Sequence, residues 1–321
     1  MILAEVPLKV TLFGEHAVVF NRPAIAMAIT ERLRVRISEG SESVVIHSPN
    51  LMLRGLRVDL KAGKADAEQV LNAFSYVVEV IRYFGERPCV IEVESPVDPS
   101  VGLGTSAAVT VGTVAAYSRF IGESLSLERI AKIAHEVELR VQGAASKMDT
   151  YTETFGGLVF FEGGEMVKRI QGVDLGIVAG YLPRNSTTKD LVGKVRGIFE
   201  RRRGIVGMIM DSIGELVREA RQCIEEGDLR GVGELMYINH GLLNALGVTS
   251  PEVDEMVSRA KRIGVPGCKM SGGGGGGTVI CLKSPWTESL FDLHGARRVN
   301  STPDYRGVVV KGDSAATDRS G

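Results

Sequence analysis

Apolar and polar positions change period several times along the chain, and each change predicts an element. Residues 6 to 38, including "VPLKVTLFGEHAVVFNRPAIAMAI", alternate around a glycine and a proline and predict strands joined by tight loops, with further strands near 43 to 60. Val70, Ala73, Phe74, Val77, Val78 and Ile81 recur at helical spacing, so 67 to 84 reads as a helix, and "CVIEVES" then reads as a strand. From Ser106 to Phe120 the residues are small or β-branched with little charge, which predicts a helix buried on most sides. A second helix follows from Leu127, with Ser126 as N-cap and Ile130, Ile133, Ala134, Val137 and Val141 as its apolar stripe. Glu138 lies about 100° round that helix from Val137, at the margin of the buried face, where a carboxylate can look into a cleft. "FGGLVFFEGG" is a strand bounded by glycines. After residue 172 the pattern becomes one strand and then long amphipathic helices, which places a domain boundary there: 1–172 and 173–321. "GCKMSGGGGGGTVICL" reads as a helix-to-strand connection. Its six glycines run straight into a strand, which points to close approach of backbone to another group rather than to a linker.

A chain of 321 residues can bury two cores. Lys and Arg number 38 against 39 acidic residues, so no global field recruits nucleic acid or an acidic membrane. Glu5, Lys9, Glu15 and His16 interrupt the apolar N-terminal stretch, and no run is long enough to span a bilayer, which predicts a cytoplasmic protein. Cys89, Cys223, Cys268 and Cys281 are scattered without a CxxC pair and read as reduced, packed thiols. His135-Glu136 begins like a zinc-protease helix, but Leu139 stands where the second histidine is required.

The stretch with most chemical content is "PSVGLGTSAAV", residues 99 to 109. Closely spaced glycines let backbone N–H groups converge, and the helix that follows adds its own unpaired N–H groups and positive dipole end. Such a place holds an anion, most often a phosphate. An ordinary strand-to-helix turn capped by Thr105 or Ser106 is the plainer reading.

Three segments together are more specific: "KVTLFGEHAVVFNRPAIAMAI", "GLGTSAA" and "KMSGGGGGG" resemble, in order and spacing, the three motifs of the GHMP kinases. The Lys-x-x-x-x-Gly-Glu-His-Ala-Val-Val arrangement from Lys9 to Val19 is most similar to the mevalonate kinase branch. "AHEVELRVQGAASKMDTYTETFGG", "STTKDLVGKVR" and "INHGLLNALGV" resemble its archaeal members. The resemblance implies an α+β fold, with a ribosomal protein S5 domain 2-like N-terminal domain, a ferredoxin-like C-terminal domain and a cleft between them. It implies transfer of phosphate from ATP to mevalonate, with phosphomevalonate kinase or mevalonate 3-kinase as the neighbouring alternatives, and it leaves a homodimer open.

By the same resemblance, Gly102, Leu103, Gly104, Thr105, Ser106 and Ala107 wrap the triphosphate, joined by Gly273 and Gly274. Ser106 and Glu138 hold Mg²⁺, a hydroxyl and a carboxylate being the hard oxygen donors that ion accepts. Asp149 faces the substrate hydroxyl with Lys9 beside it, and Glu15, His16, Thr187 and Thr188 belong to the substrate pocket. Two departures are small: Thr105 replaces a serine, and Ser271-Gly272-Gly273 replaces Gly-Ala-Gly. A dinucleotide-binding reading of Gly102 to Ala107 as GxGxxA competes. However, "PVDPSV" separates the glycines from the preceding strand, and about ninety residues come before them.

Overall fold

The computed structural model describes residues 1–48, 53–58, 68–98, 101–143, 145–184 and 188–312. Two sheets organise it. The first has the order β12-β1-β2-β5-β3-β4, with β6 and β7 continuing from β2. It comprises β1 (Ile2–Phe13), β2 (Ala24–Glu39), β3 (Val44–Ser48), β4 (Leu53–Val58), β5 (Cys89–Glu94), β6 (Leu158–Glu162), β7 (Glu165–Ile170) and the late β12 (Val309–Lys311). The second has the order β11-β8-β10-β9 and comprises β8 (Ile177–Arg184), β9 (Cys268–Met270), β10 (Gly276–Leu282) and β11 (Arg297–Val299). The mixed α+β class read from the sequence is observed, and the boundary expected at 172/173 falls between β7 and β8.

β1 and β2 begin and end differently because their surroundings change. Ile2, Ala4 and Val6 are buried while Leu3 and Glu5 are partly exposed, the alternation of a one-sided sheet; from Val6 to Phe13 every residue is buried. The covering element is α2 (Thr105–Phe120), which packs on β1 and β2 and is flanked by α1 (Glu68–Phe84), α3 (Leu127–Gln142) and α4 (Met148–Phe155). Small residues bring α2 close to the sheet: a Cβ at Gly112 would lie 2.8 Å from Val35 Cγ2 and 3.1 Å from Val6 Cγ2. Ser126 caps α3 as expected, accepting from the Arg129 N–H. α5 (Thr188–Arg201) and α6 (Arg203–Glu226) follow β8, and α7 (Leu229–Ala245), α8 (Pro251–Arg262) and α9 (Thr287–Leu293) cover the second sheet.

Two expectations and one alternative reading are corrected. The glycine-rich segment is not a helix-to-strand connection but the turn of a β9–β10 hairpin; Cys268–Met270 is too short to show a period of its own and is recognised as a strand only by pairing with β10. That register sets Cys268 opposite Cys281, and the two form a disulfide rather than separate thiols, a juxtaposition their thirteen-residue spacing conceals. Neither Thr105 nor Ser106 caps α2: the cap is Gly104 at φ 81°, and the two hydroxyls lie in the first turn.

The chain after residue 300 returns to the first sheet. β12 pairs with β1, Asp304 N–H donates to Ala28 O, and Val308 N–H to Thr154 O. The return is held by Arg32, whose guanidinium donates to Asp304 Oδ2 at 2.6 and 2.9 Å, to Gly307 O at 2.9 Å and to Glu5 O at 3.0 Å. Asp304 is 2 % exposed, and without Arg32 its buried charge keeps only the exposed Arg306 guanidinium at 3.6 Å and the N–H groups of Arg306 and Gly307. Arg32→Ala is expected to lower unfolding free energy by about 3–5 kcal/mol in urea titration.

Candidate active site

A cleft of about 470 Å³ opens between the two sheets, where several chain segments meet. β1 contributes Lys9 and Thr11, and the turn after it contributes Glu15 and His16. The loop into α2 contributes Gly102, Gly104, Thr105 and Ser106; α3 and α4 contribute Glu138 and Asp149; the hairpin turn contributes Gly272 and Gly273.

The loop is fixed from both sides. Lys9 N–H donates to Leu103 O at 3.0 Å, and Thr278 Oγ1 donates to Val101 O at 2.9 Å. The glycine run approaches it as expected, since a Cβ at Gly272 would sit 2.9 Å from Gly102 O and one at Gly277 2.7 Å from Val101 O. Here glycine is a steric requirement. The first N–H groups of α2 and its positive end consequently face a cleft whose backbone is already in place, the arrangement that binds phosphate.

Lys9 is 3 % exposed, and its ammonium lies 3.0 Å from Asp149 Oδ1 and donates to Thr11 Oγ1 at 3.2 Å. Asp149, in the first turn of α4, is more open than its partner and faces the cleft. Glu138 is buried, and burial followed by the Asp149 charge pushes its carboxyl up to about 8, against the opposing pull of Lys9. A carboxyl that high holds a negative charge at neutral pH only if a cation joins it.

Behind the cleft a second ion pair joins the sheets. Lys269 on β9 meets Glu15 with both side chains buried, and Lys269 Nζ also donates to Met270 O at 2.7 Å. Burial raises the Glu15 carboxyl and lowers the Lys269 ammonium, each opposed by the partner's charge. Beside them Ser271 and Thr11 bond reciprocally, Thr11 N–H to Ser271 Oγ and Ser271 Oγ to Thr11 O, each at 2.9 Å.

His16 adopts φ 61°, and its Nε2 lies 3.1 Å from Gly273 O. Burial lowers its pKa to about 4, so the ring is neutral, and the carbonyl contact places its proton on Nε2. Nδ1 is then a buried acceptor with no hydrogen-bond partner among the described residues.

The structure thus brings together at one cleft Lys9, Asp149, Glu138, Glu15, His16, Gly102, Gly104, Thr105, Ser106 and Gly273. Leu103, Ala107 and Gly274 are not among its lining residues: Leu103 and Ala107 are fully buried, and Gly274 backs the hairpin turn, its carbonyl accepting from Arg184 Nε at 2.8 Å. Thr187 lies outside the described residues; Thr188 begins α5, where only its backbone is described. Sequence reasoning missed Lys269, whose position before "MS" and the glycine run was its one signal, and Arg184 and Arg196, which line the cleft from the second half of the chain.

Comparison with known proteins gives the family. The GHMP kinases N terminal domain model matches residues 72–157 and the GHMP kinases C terminal model residues 220–287. A mevalonate kinase of Saccharolobus solfataricus is 50% identical over 96% of this chain and 98% of its own. The chain belongs to the GHMP kinase family. A mevalonate kinase of Pyrococcus horikoshii is 39% identical over 88% of both chains. The crystal structure of the Methanococcus jannaschii mevalonate kinase superposes with a TM-score of 0.79 at 30% identity, covering 95% of this chain and 98% of the other. No helix among the described residues is long and apolar enough to cross a membrane.

The neutral buried His16 makes stability depend on pH. Its folded pKa lies below the usual value near 6.5, so the favourable contribution is complete above that value and is lost as pH falls from 6.5 towards 4. His16→Gln should remove this dependence, leaving a chain that loses up to about 3 kcal/mol less than wild type over that window in denaturant titrations.

Proposed function

We propose that the chain transfers the γ-phosphoryl group of ATP to the 5-hydroxyl of mevalonate, giving 5-phosphomevalonate. The observation that carries the reading is the Lys9–Asp149 pair at 3.0 Å beside the α2 N-terminus, a carboxylate and an ammonium presented where a phosphate would end. The relatives in the preceding section supply the choice of alcohol.

Phosphoryl transfer asks a protein for in-line positioning and for positive charge around the moving oxygens. The backbone N–H groups at 102–106 hold the triphosphate, and Gly272 and Gly273 close its other side. Asp149 orients the 5-hydroxyl and accepts its proton as the oxygen bonds to the γ-phosphorus and the bond to the β,γ-bridging oxygen breaks. Lys9 offsets the negative charge that develops there. His16 Nδ1 offers an acceptor to a second substrate hydroxyl, and the Arg196 guanidinium offers the substrate carboxylate a bidentate partner.

Ser106 and Glu138 fit Mg²⁺. They are hard oxygen donors on the same cleft as the loop, and a cation there would offset the burial and the Asp149 charge that raise the Glu138 carboxyl. Ser106 and Glu138 would hold the ion, which would supply charge neutralisation and a template for the phosphates.

Coupled ADP release with mevalonate, phosphomevalonate, galactose and homoserine tests the reading; mevalonate should be the preferred acceptor, and preference for another would overturn it. Asp149→Asn should lower kcat by roughly 10² or more with ATP binding little changed. Lys9→Met should also lower kcat, and the double variant should lose far less than the product of the single losses, because both residues act on one step. Ser106→Ala should raise the requirement for Mg²⁺-ATP and recover in part at high Mg²⁺.

A further inference from the structure

α4 presents two carboxylates four residues apart, Asp149 and Glu153, on one helix face. Only Asp149 reaches the cleft. Glu153 is 0 % exposed, and neither of its carboxyl oxygens has a hydrogen-bond partner among the described residues. Gly104 lies directly against it: a Cβ there would overlap Glu153 Oε1 and come within 2.9 Å of Lys9 Cε and Cγ. The Glu153 carboxyl therefore fills the space enclosed by the phosphate loop, the Lys9 stem and α4.

Charge decides the form in which it does so. The groups acting on Glu153 are Asp149 on its own helix, Lys9 on β1 and Glu138 on α3. Lys9, the one ammonium among these groups, is already engaged by Asp149 and Thr11. Burial and the two carboxylates hold the Glu153 carboxyl well above the usual range, against the pull of Lys9. An ionised Glu153 would compete for Lys9 and place a negative charge directly beneath the loop that cradles an anionic triphosphate.

We propose that Glu153 is a positioning residue that works as a neutral carboxylic acid, a wedge between Gly104 and the Lys9 stem that keeps Lys9 on Asp149 without adding charge under the phosphate loop. The inference rests on reading Lys9 and Asp149 as the reacting pair, but its structural basis is independent of which alcohol is phosphorylated. Glu153 touches neither nucleotide nor acceptor and acts only through Lys9 and the loop.

Glu153→Gln keeps both shape and neutrality, so kcat should stay within about threefold of wild type, whereas Glu153→Ala, which empties the space behind Lys9, should lose roughly tenfold or more. Rescue by the neutral isostere distinguishes this role from that of an anion or a proton carrier. A second measurement needs neither substrate nor turnover: the infrared difference spectrum of wild type against Glu153→Gln at neutral pH should show the C=O stretch of a protonated carboxylic acid in wild type. Absence of that band, a Glu153→Gln loss as large as that of Glu153→Ala, or wild-type kcat in Glu153→Ala would each overturn the proposal. If wild type phosphorylates none of the four alcohols, the functional reading fails, and the infrared band still decides the state of Glu153.

Discussion

The buried contact between Lys269 and Glu15 is the joint on which the site depends. It ties β9 of the second sheet to the turn after β1 of the first, and the reciprocal Thr11–Ser271 bonds and the Thr278 bond to Val101 O lie alongside it. A buried ion pair gives little net stability over a well-packed apolar contact, because both charges must leave water. It is intolerant of misplacement, however, since either charge alone would stand unmatched in the interior. The two sheets are thereby held in one relative position, and the glycine hairpin is set against the loop at 101–104 with no room for a Cβ between them.

From that placement follows an uneven distribution of charge. N–H groups and the positive end of α2 converge on the cleft, Asp149 and Glu138 line it, and Glu153 lies sealed behind Gly104, all three carboxyls near one buried lysine. The protein holds this excess of carboxylates by burying two of them, Glu138 and Glu153, with raised pKa values, and leaving the third partly open beside Lys9. Each is then suited to a different task. In the function proposed above, Asp149 meets the acceptor, Glu138 receives a cation, and Glu153 occupies space without charge.

Much of this was legible in the amino-acid sequence, and the reasons differ by element. Helix α3 announced itself by its stripe and its cap, both local properties, and Ser126 behaves as read. α2 was legible because a run of small and β-branched residues with little charge has no stable place except the interior. Lys9 and Ser106 could be singled out only through the three motifs and Asp149 only through the segment that resembles the archaeal members, since no period or propensity marks a lysine in a strand as buried; Glu138 was also marked by its place at the margin of the buried face of α3. Cys268 and Cys281 were misread because strand register decides their meeting, and a strand of three residues leaves no pattern.

The sequence alone determined which backbone could bend at 102, 104 and 272–277, which faces of the helices are apolar, and which side chains carry acid, base and hydroxyl chemistry. Those are properties of single residues and their near neighbours, where propensity and periodicity act. Only the tertiary structure decided that Lys269 neutralises Glu15, that Arg32 ties down the returning chain, and that Glu153 lies sealed beneath Gly104. The first two pairs join residues 254 and 272 positions apart. Burial and the nearness of other charges, which set the protonation of every carboxylate in the site, exist only once such distant segments have met.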